Sequence, residues 1–251
     1  MSGTFKRTEL LLGKEKLDRL KRARVAVIGL GAVGGYAVEG LARAAVGHLC
    51  LADCDVVDES NINRQILALH STIGCKKVDL ANDRVLDIHP ACRVEAVEIF
   101  AHHYSIGKIL SFQPDLVIDA IDSLNPKVNV LAELHARGVP VISSMGAALK
   151  TDPSRIHFGD LFSTRGCSLA RVVRQRLRRL GIRHGIQCVY STEPTRGEAL
   201  LSPEDGAGTS TEQGRRRNIL GSMSTITGIF GLTIAHYAIE MLIGGFDKKT
   251  Q

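Results

Sequence analysis

Apolar and polar positions follow two periods along the chain. Val25–Ile28 is a short apolar run of the kind that forms a buried strand, and it leads into Gly29-Leu30-Gly31-Ala32-Val33-Gly34-Gly35. Helical spacing then takes over from Tyr36 to Arg43 and runs out at about Ala44. Val46-Gly47 reads as a turn, and His48–Ala52 as a second strand with Asp53 at its C-terminal end. Lys76 to Ile88 has apolar residues at 78, 80, 81, 85, 86 and 88, which predicts a helix. Arg93–Ile99 alternates like a strand, and Asp115–Ala120 reads as a buried parallel strand. A helix from about Pro126 to Arg137 and a strand at Val139–Ser143 follow. This alternation predicts an α/β fold: a doubly wound, Rossmann-like, mostly parallel sheet. Leu10 to Leu20 precedes it as one amphipathic lead-in helix.

After Ala148 the pattern changes, which divides the chain into residues 1–148 and a C-terminal part, 149–251, continuous with the same domain. Thr151–Arg155 is a turn. Ser168–Leu180 is amphipathic, with Leu169, Val172, Val173, Leu177 and Leu180 on one face. Glu193 to Arg217 is rich in Gly, Ser, Thr and Pro and reads as a mobile loop. Ile219–Ile243 is long and apolar enough to span a membrane. Its Glu240, His236 and small residues favour a helix buried within the protein, with membrane association as the disfavoured alternative.

Composition narrows the setting. With 251 residues, 44% hydrophobic and 23% charged, there is enough chain for a large core. The net charge of +6 is concentrated beyond Thr151, which admits an acidic partner, nucleic acid first, beside the plainer reading of solvation. Six cysteines form no C-x-x-C pair, so neither a zinc ribbon nor a disulfide scaffold is expected. Met1 to Arg24 has no apolar signal-peptide run, and a reducing cytoplasm fits.

The candidate chemistry gathers around the glycine turn. Gly29 permits a tight turn, Gly31 lets the backbone approach a phosphate or ribose, and Gly34 allows close helix–strand packing. Asp53 lies 22 residues beyond Gly31, where this fold places a carboxylate for ribose hydroxyls; capping a loop is its alternative role. In Ser60-Asn61-Ile62-Asn63-Arg64-Gln65 the Arg64 guanidinium can take phosphate oxygens in bidentate fashion; the alternative is a solvated polar loop. Lys76 and Lys77 fall in the first turn of a helix, where cations oppose its dipole, which suggests a phosphate nearby. In Asp119-Ala120-Ile121-Asp122-Ser123 a carboxylate at a strand C-terminus is a natural Mg²⁺ ligand, and capping of the next helix by Ser123 or Asn125 is the alternative. Seven arginines and no acid occur from Arg165 to Arg183. Among them Arg171, Arg174, Arg178 and Arg179 lie largely off the apolar face of their helix, as a phosphate-backbone contact or a solvated face would have them.

Taken together, G-L-G-A-V-G, L-A-D-C-D, S-N-I-N-R-Q, G-C-K-K-V and D-A-I-D-S resemble the ubiquitin-activating-enzyme-like adenylating family, which includes the activators of the molybdopterin and thiamin sulfur carriers. The resemblance implies that Gly29, Gly31 and Ala32 lie against ATP and that Asp53 holds the ribose. It implies that Asn61, Arg64 and Lys77 contact phosphates, with Arg64 supplied across a homodimer interface, and that Asp122 supports Mg²⁺. Ser60 and Ser123 belong to the same ATP-binding segments. Arg64, Lys77 and Asp122 are thereby the expected catalytic residues. The sulfur-carrier activators carry paired C-x-x-C motifs that this chain lacks. K-T-D-P-S-R-I, S-L-A-R-V-V-R-Q-R-L-R, C-V-Y-S-T-E and G-S-M-S-T-I-T-G-I-F-G-L instead resemble the tRNA threonylcarbamoyladenosine dehydratase branch.

That branch implies ATP-dependent cyclisation of threonylcarbamoyladenosine in tRNA through adenylation of the threonyl carboxylate. Adenylation of the C-terminal glycine of a small sulfur-carrier protein is the alternative. A nucleotide-sensing dimer that turns nothing over is a third reading, against which Arg64, Lys77 and Asp122 argue. A monovalent cation and a sulfur-transfer accessory protein stay open as additional cofactor and partner. Some members of the branch have a cysteine just before the C-terminal glycine-rich helix, where this chain reads Arg217-Asn218-Ile219-Leu220-Gly221. Cys167 and Cys188 are the nearest other thiols, and they read as small apolar residues.

Overall fold

A computed structural model of the chain describes residues 3–101, 105–195 and 220–244. The expected lead-in helix is two helices, α1 (Lys6–Leu12) and α2 (Lys14–Arg22). Gly13 separates them with φ +85°, a conformation that a helix interior does not contain. The break lets α2 bury Leu17 and Leu20 while Leu10 and Leu11 on α1 stand exposed.

The sheet comprises β1 (Arg24–Ile28), β2 (His48–Asp53), β3 (Arg93–Glu98), β4 (Leu116–Asp119), β5 (Val141–Ser144), β6 (Ile156–Asp160) and β7 (Gln187–Ser191). Their order is β3-β2-β1-β4-β5-β7-β6, parallel throughout except for β6, which runs antiparallel to β7 at one edge. The helices are α3 (Gly34–Arg43), α4 (Lys77–Ile88), α5 (Ile106–Leu110), α6 (Leu124–Ala136), α7 (Ser168–Arg179) and α8 (Ser224–Leu242). Successive residues of a strand point to opposite faces. Val25 and Val27 of β1 therefore join the core under α2, α3, α4 and α8, while Ala26 and Ile28 join the one under α5, α6 and α7. Strand order reverses between β1 and β4, and the C-terminal ends of those two strands form the crevice where open α/β sheets bind ligands.

The C-terminal half departs from expectation in two places. Leu180 lies beyond the end of α7 and is exposed; the buried face of α7 is Ala170, Val173 and Leu177. Glu193, expected to open a mobile loop, is buried: its carboxylate accepts from the Thr151 and Asp152 backbone N–H groups, each at 2.9 Å, and from Thr151 Oγ1 at 3.0 Å. Three well-placed donors are enough to hold a carboxylate inside. From residue 196 onward that predicted loop lies outside the described residues. Helix α8 packs against α3 across small residues: a Cβ added at Gly231 would stand 2.4 Å from Val33 O, and one at Gly40 2.7 Å from Ala235 Cβ. One face of α8, with Ile226, Phe230, Ile234 and Ala238, is buried in the core, while Ile229, Leu232 and His236 are exposed.

Candidate active site

The glycine turn sits at the mouth of the crevice. Gly29 has φ +90°, and a Cβ there would lie 2.8 Å from Ala120 O, so the turn after β1 touches the turn after β4 with no room for a side chain. At Gly34 a Cβ would fall 1.7 Å from Gly29 O, which is the close helix–strand approach expected of that position. Around Gly31 the space is open, with Gln65 Nε2, 3.8 Å away, the nearest atom to a Cβ built there. Ala32 is half-buried in the same turn. Helix α3 begins immediately beyond with no side-chain cap, and its Gly35 N–H donates to Gly31 O at 3.0 Å.

Asp53 closes the side of this mouth. Its Oδ2 accepts from Leu30 N at 2.6 Å and its Oδ1 from Asp55 N at 2.8 Å, so the end of β2 is tied to the glycine turn. Burial pushes the Asp53 carboxyl above its ordinary range, against the opposing pull of Lys77 and the two backbone N–H groups. Both oxygens keep lone pairs for further donors, as ribose hydroxyls would require. Residues 55–57 pair with residues 74–77 through Val57 N to Cys75 O, Gly74 N to Val57 O and Lys77 N to Asp55 O. This pairing brings the start of α4 beside Asp53. Lys77 is buried, and its Nζ bonds Asp55 Oδ2 at 3.0 Å. Lys76 turns the other way, onto Glu98 at 2.7 Å. Protein carboxylates thus pair with both cations at the start of α4.

Glu59–Asn61 is a 3₁₀ helix capped by Asp58, whose Oδ1 accepts from Ser60 N at 2.8 Å, and a further turn leads on to Gln65. Asn61 Oδ1 accepts from Asp58 N at 3.4 Å and completes a capping box. Arg64 turns back onto this segment, donating to Ser60 O at 2.7 Å and Asn63 Oδ1 at 2.9 Å. Asn63 in turn donates to Ser222 O at 3.0 Å, which ties the segment to the approach to α8.

Beyond β4 the structure separates two aspartates that the sequence set side by side. Asp122 is exposed, with Ser123 Oγ donating to its Oδ1 at 3.2 Å. Ser123 occupies the N-cap of α6 without capping it. Asp119 is fully buried, and its Oδ2 accepts from Lys127 Nζ at 2.5 Å and Ser143 Oγ at 2.6 Å. Its Oδ1 accepts from Ile121 N at 3.1 Å, which fixes the turn that carries Asp122. Sequence reasoning missed Lys127. The available signal was a lysine inside an otherwise apolar helix face, facing the acid that ends β4.

The arginines of α7 divide. Arg171, Arg178 and Arg179 are exposed around a shallow depression. Arg174 lines it too, but its guanidinium is bound to Thr164 O at 3.0 Å, to Thr164 Oγ1 and to Leu161 O at 3.4 Å, so it braces the preceding turn. Cys167 and Cys188 are buried; Cys167 Sγ accepts from Ala170 N at 3.5 Å at the start of α7, and burial raises the Cys188 thiol far above its ordinary range.

The model of the ThiF family matches residues 5–251. The chain belongs to the ThiF family. Within it the chain is 46% identical to a tRNA threonylcarbamoyladenosine dehydratase of Bacillus subtilis over 189 residues, 75% of this chain and 74% of that protein. It is 33% identical to the Escherichia coli enzyme of the same name over 254 residues, covering 95% of this chain and 93% of the relative. The crystal structure of the Escherichia coli dehydratase in complex with ATP superposes with a TM-score of 0.84 at 31% identity, over 96% of this chain and 94% of that one. The resemblance to the dehydratase branch of the ThiF family, read from nine short motifs, is borne out.

Proposed function

We propose that this ThiF-family protein is an ATP-dependent enzyme that cyclises threonylcarbamoyladenosine in tRNA. The observation that carries the reading is similarity to the dehydratases across both parts of the chain, together with the glycine turn at the strand reversal. ATP fits: the space at Gly31 is open, the α3 N-terminus is uncapped, and Asp53 retains acceptor capacity. Residues 1–148 bind and spend the nucleotide, while residues 149–251 hold the tRNA.

In the first step the threonyl carboxylate attacks the α-phosphate of ATP, forming an acyl-adenylate and releasing pyrophosphate. Gly29, Gly31 and Ala32 lie against the nucleotide, Asp53 accepts from its ribose, and Ser60, Asn61 and Ser123 supply polar contacts. Lys77 and Arg64 stabilise negative charge on the phosphates, Arg64 reaching them from the partner of a homodimer. A second copy is supported by Leu10 and Leu11 on α1 and Ile229 and Leu232 on α8, all apolar and exposed. Asp122, an exposed hard-oxygen ligand at the end of β4, would hold Mg²⁺. That ion supplies neutralisation of phosphate charge when bound. In the second step the substrate's carbamoyl group attacks the activated carbonyl, closes the ring and expels AMP. Tethering of the two groups in one side chain supplies much of the acceleration. The ring closure requires no protein thiol; Cys167 and Cys188 are buried, while Cys54 and Cys75 are exposed. The setting is the cytoplasm, in keeping with six free cysteines.

The test is purified protein with Mg-ATP and tRNA carrying threonylcarbamoyladenosine. Release of AMP in step with the cyclic nucleoside is expected. No AMP, or pyrophosphate exchange that depends on a sulfur-carrier protein and ignores tRNA, overturns the reading.

A further inference from the structure

Two motifs of the C-terminal part meet at the open end of the sheet and take no part in the chemistry of the ATP crevice. His157 follows K-T-D-P-S-R-I on β6, and Tyr190 lies within C-V-Y-S-T-E on β7. The two residues are direct partners in the antiparallel pair, so their side chains share a face. Their ring centroids are 5.7 Å apart, with the planes tilted by 42°. His157 is exposed and Tyr190 half-buried. His157 Nε2 lies 3.3 Å from Thr192 Oγ1, which holds the imidazole in place. An arginine completes the cluster. Gly166 packs on Thr192, where a Cβ built on the glycine would stand 3.0 Å from Thr192 O. Arg165 is exposed beside it. Burial pushes the Tyr190 phenol above its ordinary range, and the nearby Arg165 pulls the other way. The turn that carries Arg165 is held at both ends: Arg174 donates to Thr164 O at 3.0 Å, and Cys167 Sγ accepts from Ala170 N at 3.5 Å. Aromatic rings beside a guanidinium are the chemistry that takes an unstacked RNA base and its phosphate.

Register places the cluster relative to the crevice. Asp119 at the end of β4 pairs with Ser143 of β5, and Ser143 pairs with Cys188 of β7. Tyr190 is therefore two strands across from the end of β4, about 10 Å, and two residues further toward the C-terminal edge of the sheet. A threonylcarbamoyl group sets one amino-acid residue between its adenine and the carboxylate, a reach of about 3.5 Å. With that carboxylate beside the end of β4, the modified base stops short of Tyr190, and the next base of the strand covers the remainder. We infer that His157, Tyr190 and Arg165 form a binding site for one unpaired RNA base, that of a nucleotide next to the modified adenosine: the base stacks on the two rings, and Arg165 meets its phosphate. The inference rests on the tRNA reading given above. It adds a contact that sees a base, whereas the outward arginines of α7 can see only backbone charge.

The experiment titrates tRNA binding against salt for the full chain and for Tyr190→Leu, His157→Ala, Tyr190→Phe and Arg165→Gln, with ATP affinity and thermal melting as controls for the fold. Tyr190→Leu and His157→Ala are each expected to weaken modified and unmodified tRNA alike by about tenfold, with the slope of log K against log salt unchanged. Tyr190→Phe keeps the ring and is expected to bind as the parent does. Arg165→Gln is expected to lower the slope by about 0.7, one phosphate of a single strand. ATP affinity is expected to stay the same throughout. 2-Aminopurine placed in turn on each side of the modified adenosine reads the stacking directly. At saturating protein its fluorescence is expected to be lower with the parent than with Tyr190→Leu at one of the two positions. Parental tRNA affinity in Tyr190→Leu and His157→Ala, equal loss in Tyr190→Phe, an unchanged slope in Arg165→Gln, or equal fluorescence at both positions overturns the inference. So does a loss confined to modified tRNA, which would assign the rings to the modified base itself. Failure of the unmodified chain to bind tRNA at all is a separate result, because it sinks the tRNA reading. If Tyr190→Leu does not fold, the exposed His157→Ala decides by the same readings.

Discussion

At the residue scale the site depends on a few positions where one atom more or less changes the outcome. Gly29 has a left-handed φ and its missing Cβ is filled by the Ala120 carbonyl, so both the conformation and the space demand glycine. Lys127 is the opposite case, a long charged side chain with no exposure at all. Its removal leaves Asp119 buried with only Ser143 Oγ and the Ile121 N–H for company. Breaking such a pair costs more than the pair contributes, because an uncompensated charge stays behind. Lys127→Met is therefore expected to destabilise the fold by about 3–5 kcal/mol in urea denaturation. Adding Asp119→Asn to that variant should recover part of the loss. A double variant no more stable than Lys127→Met would mean that the charge of Asp119 is not what the lysine balances. These are positions where a pattern of apolar and polar letters is least informative, since a buried lysine and an exposed one are the same letter.

At the element scale, periodicity located most strands and helices but not their partners. The alternation in β3 and the apolar spacing of α4 were legible because half-buried elements repeat with the period of their geometry. The break at Gly13 was not, because an apolar stripe of helical spacing continues across a residue whose backbone leaves the helix. Helix α7 shows the same limit from the other side. Its arginines were grouped by sequence, whereas packing divides them into Arg174, which braces the Thr164 turn, and Arg171, Arg178 and Arg179, which face outward. Reversing the three outward charges to glutamate should weaken tRNA binding and flatten its salt dependence. The slope of log K against log salt should fall by about 0.7–0.9 for each phosphate that is no longer neutralised. ATP affinity should not move. A filter-binding titration at several salt concentrations reads this directly, and an unchanged slope would place the tRNA elsewhere. Arg174→Ala should instead lower thermal stability.

At the scale of the whole molecule, Glu39 links two helices of one layer. It lies on α3 and accepts from Arg43 on the same helix at 2.6 Å and from Arg84 on α4 at 2.5 Å. Burial pushes its carboxyl up, but the two guanidinium groups outweigh that and hold it below its ordinary value. A carboxyl more acidic in the folded than in the unfolded chain adds stability above its unfolded pKa. That contribution is lost as pH falls through the folded one. Glu39→Gln should therefore lower Tm by about 2–4 °C at neutral pH. The gap to the parent should close on acidification below the ordinary glutamate range. A pH-independent gap, read by calorimetry across the series, would assign the effect to packing instead of charge.

The succession from β1 to β5 with α3, α4 and α6, the glycine turn, the carboxylate at the end of β2 and the basic character of the C-terminal part were legible in the sequence, whereas α5, β6 and β7 were not. Each is written in local spacing, which a strand or helix repeats with its own period and a turn marks with glycine. The tertiary structure decided what lies across the crevice. It set Ala120 against Gly29, placed Lys77 on Asp55, buried Asp119 with Lys127 and Ser143, and brought Gln65 under Gly31. These pairings join residues distant in sequence. They depend on strand order and on which donors and acceptors meet when water is excluded, and no window of neighbouring residues records that.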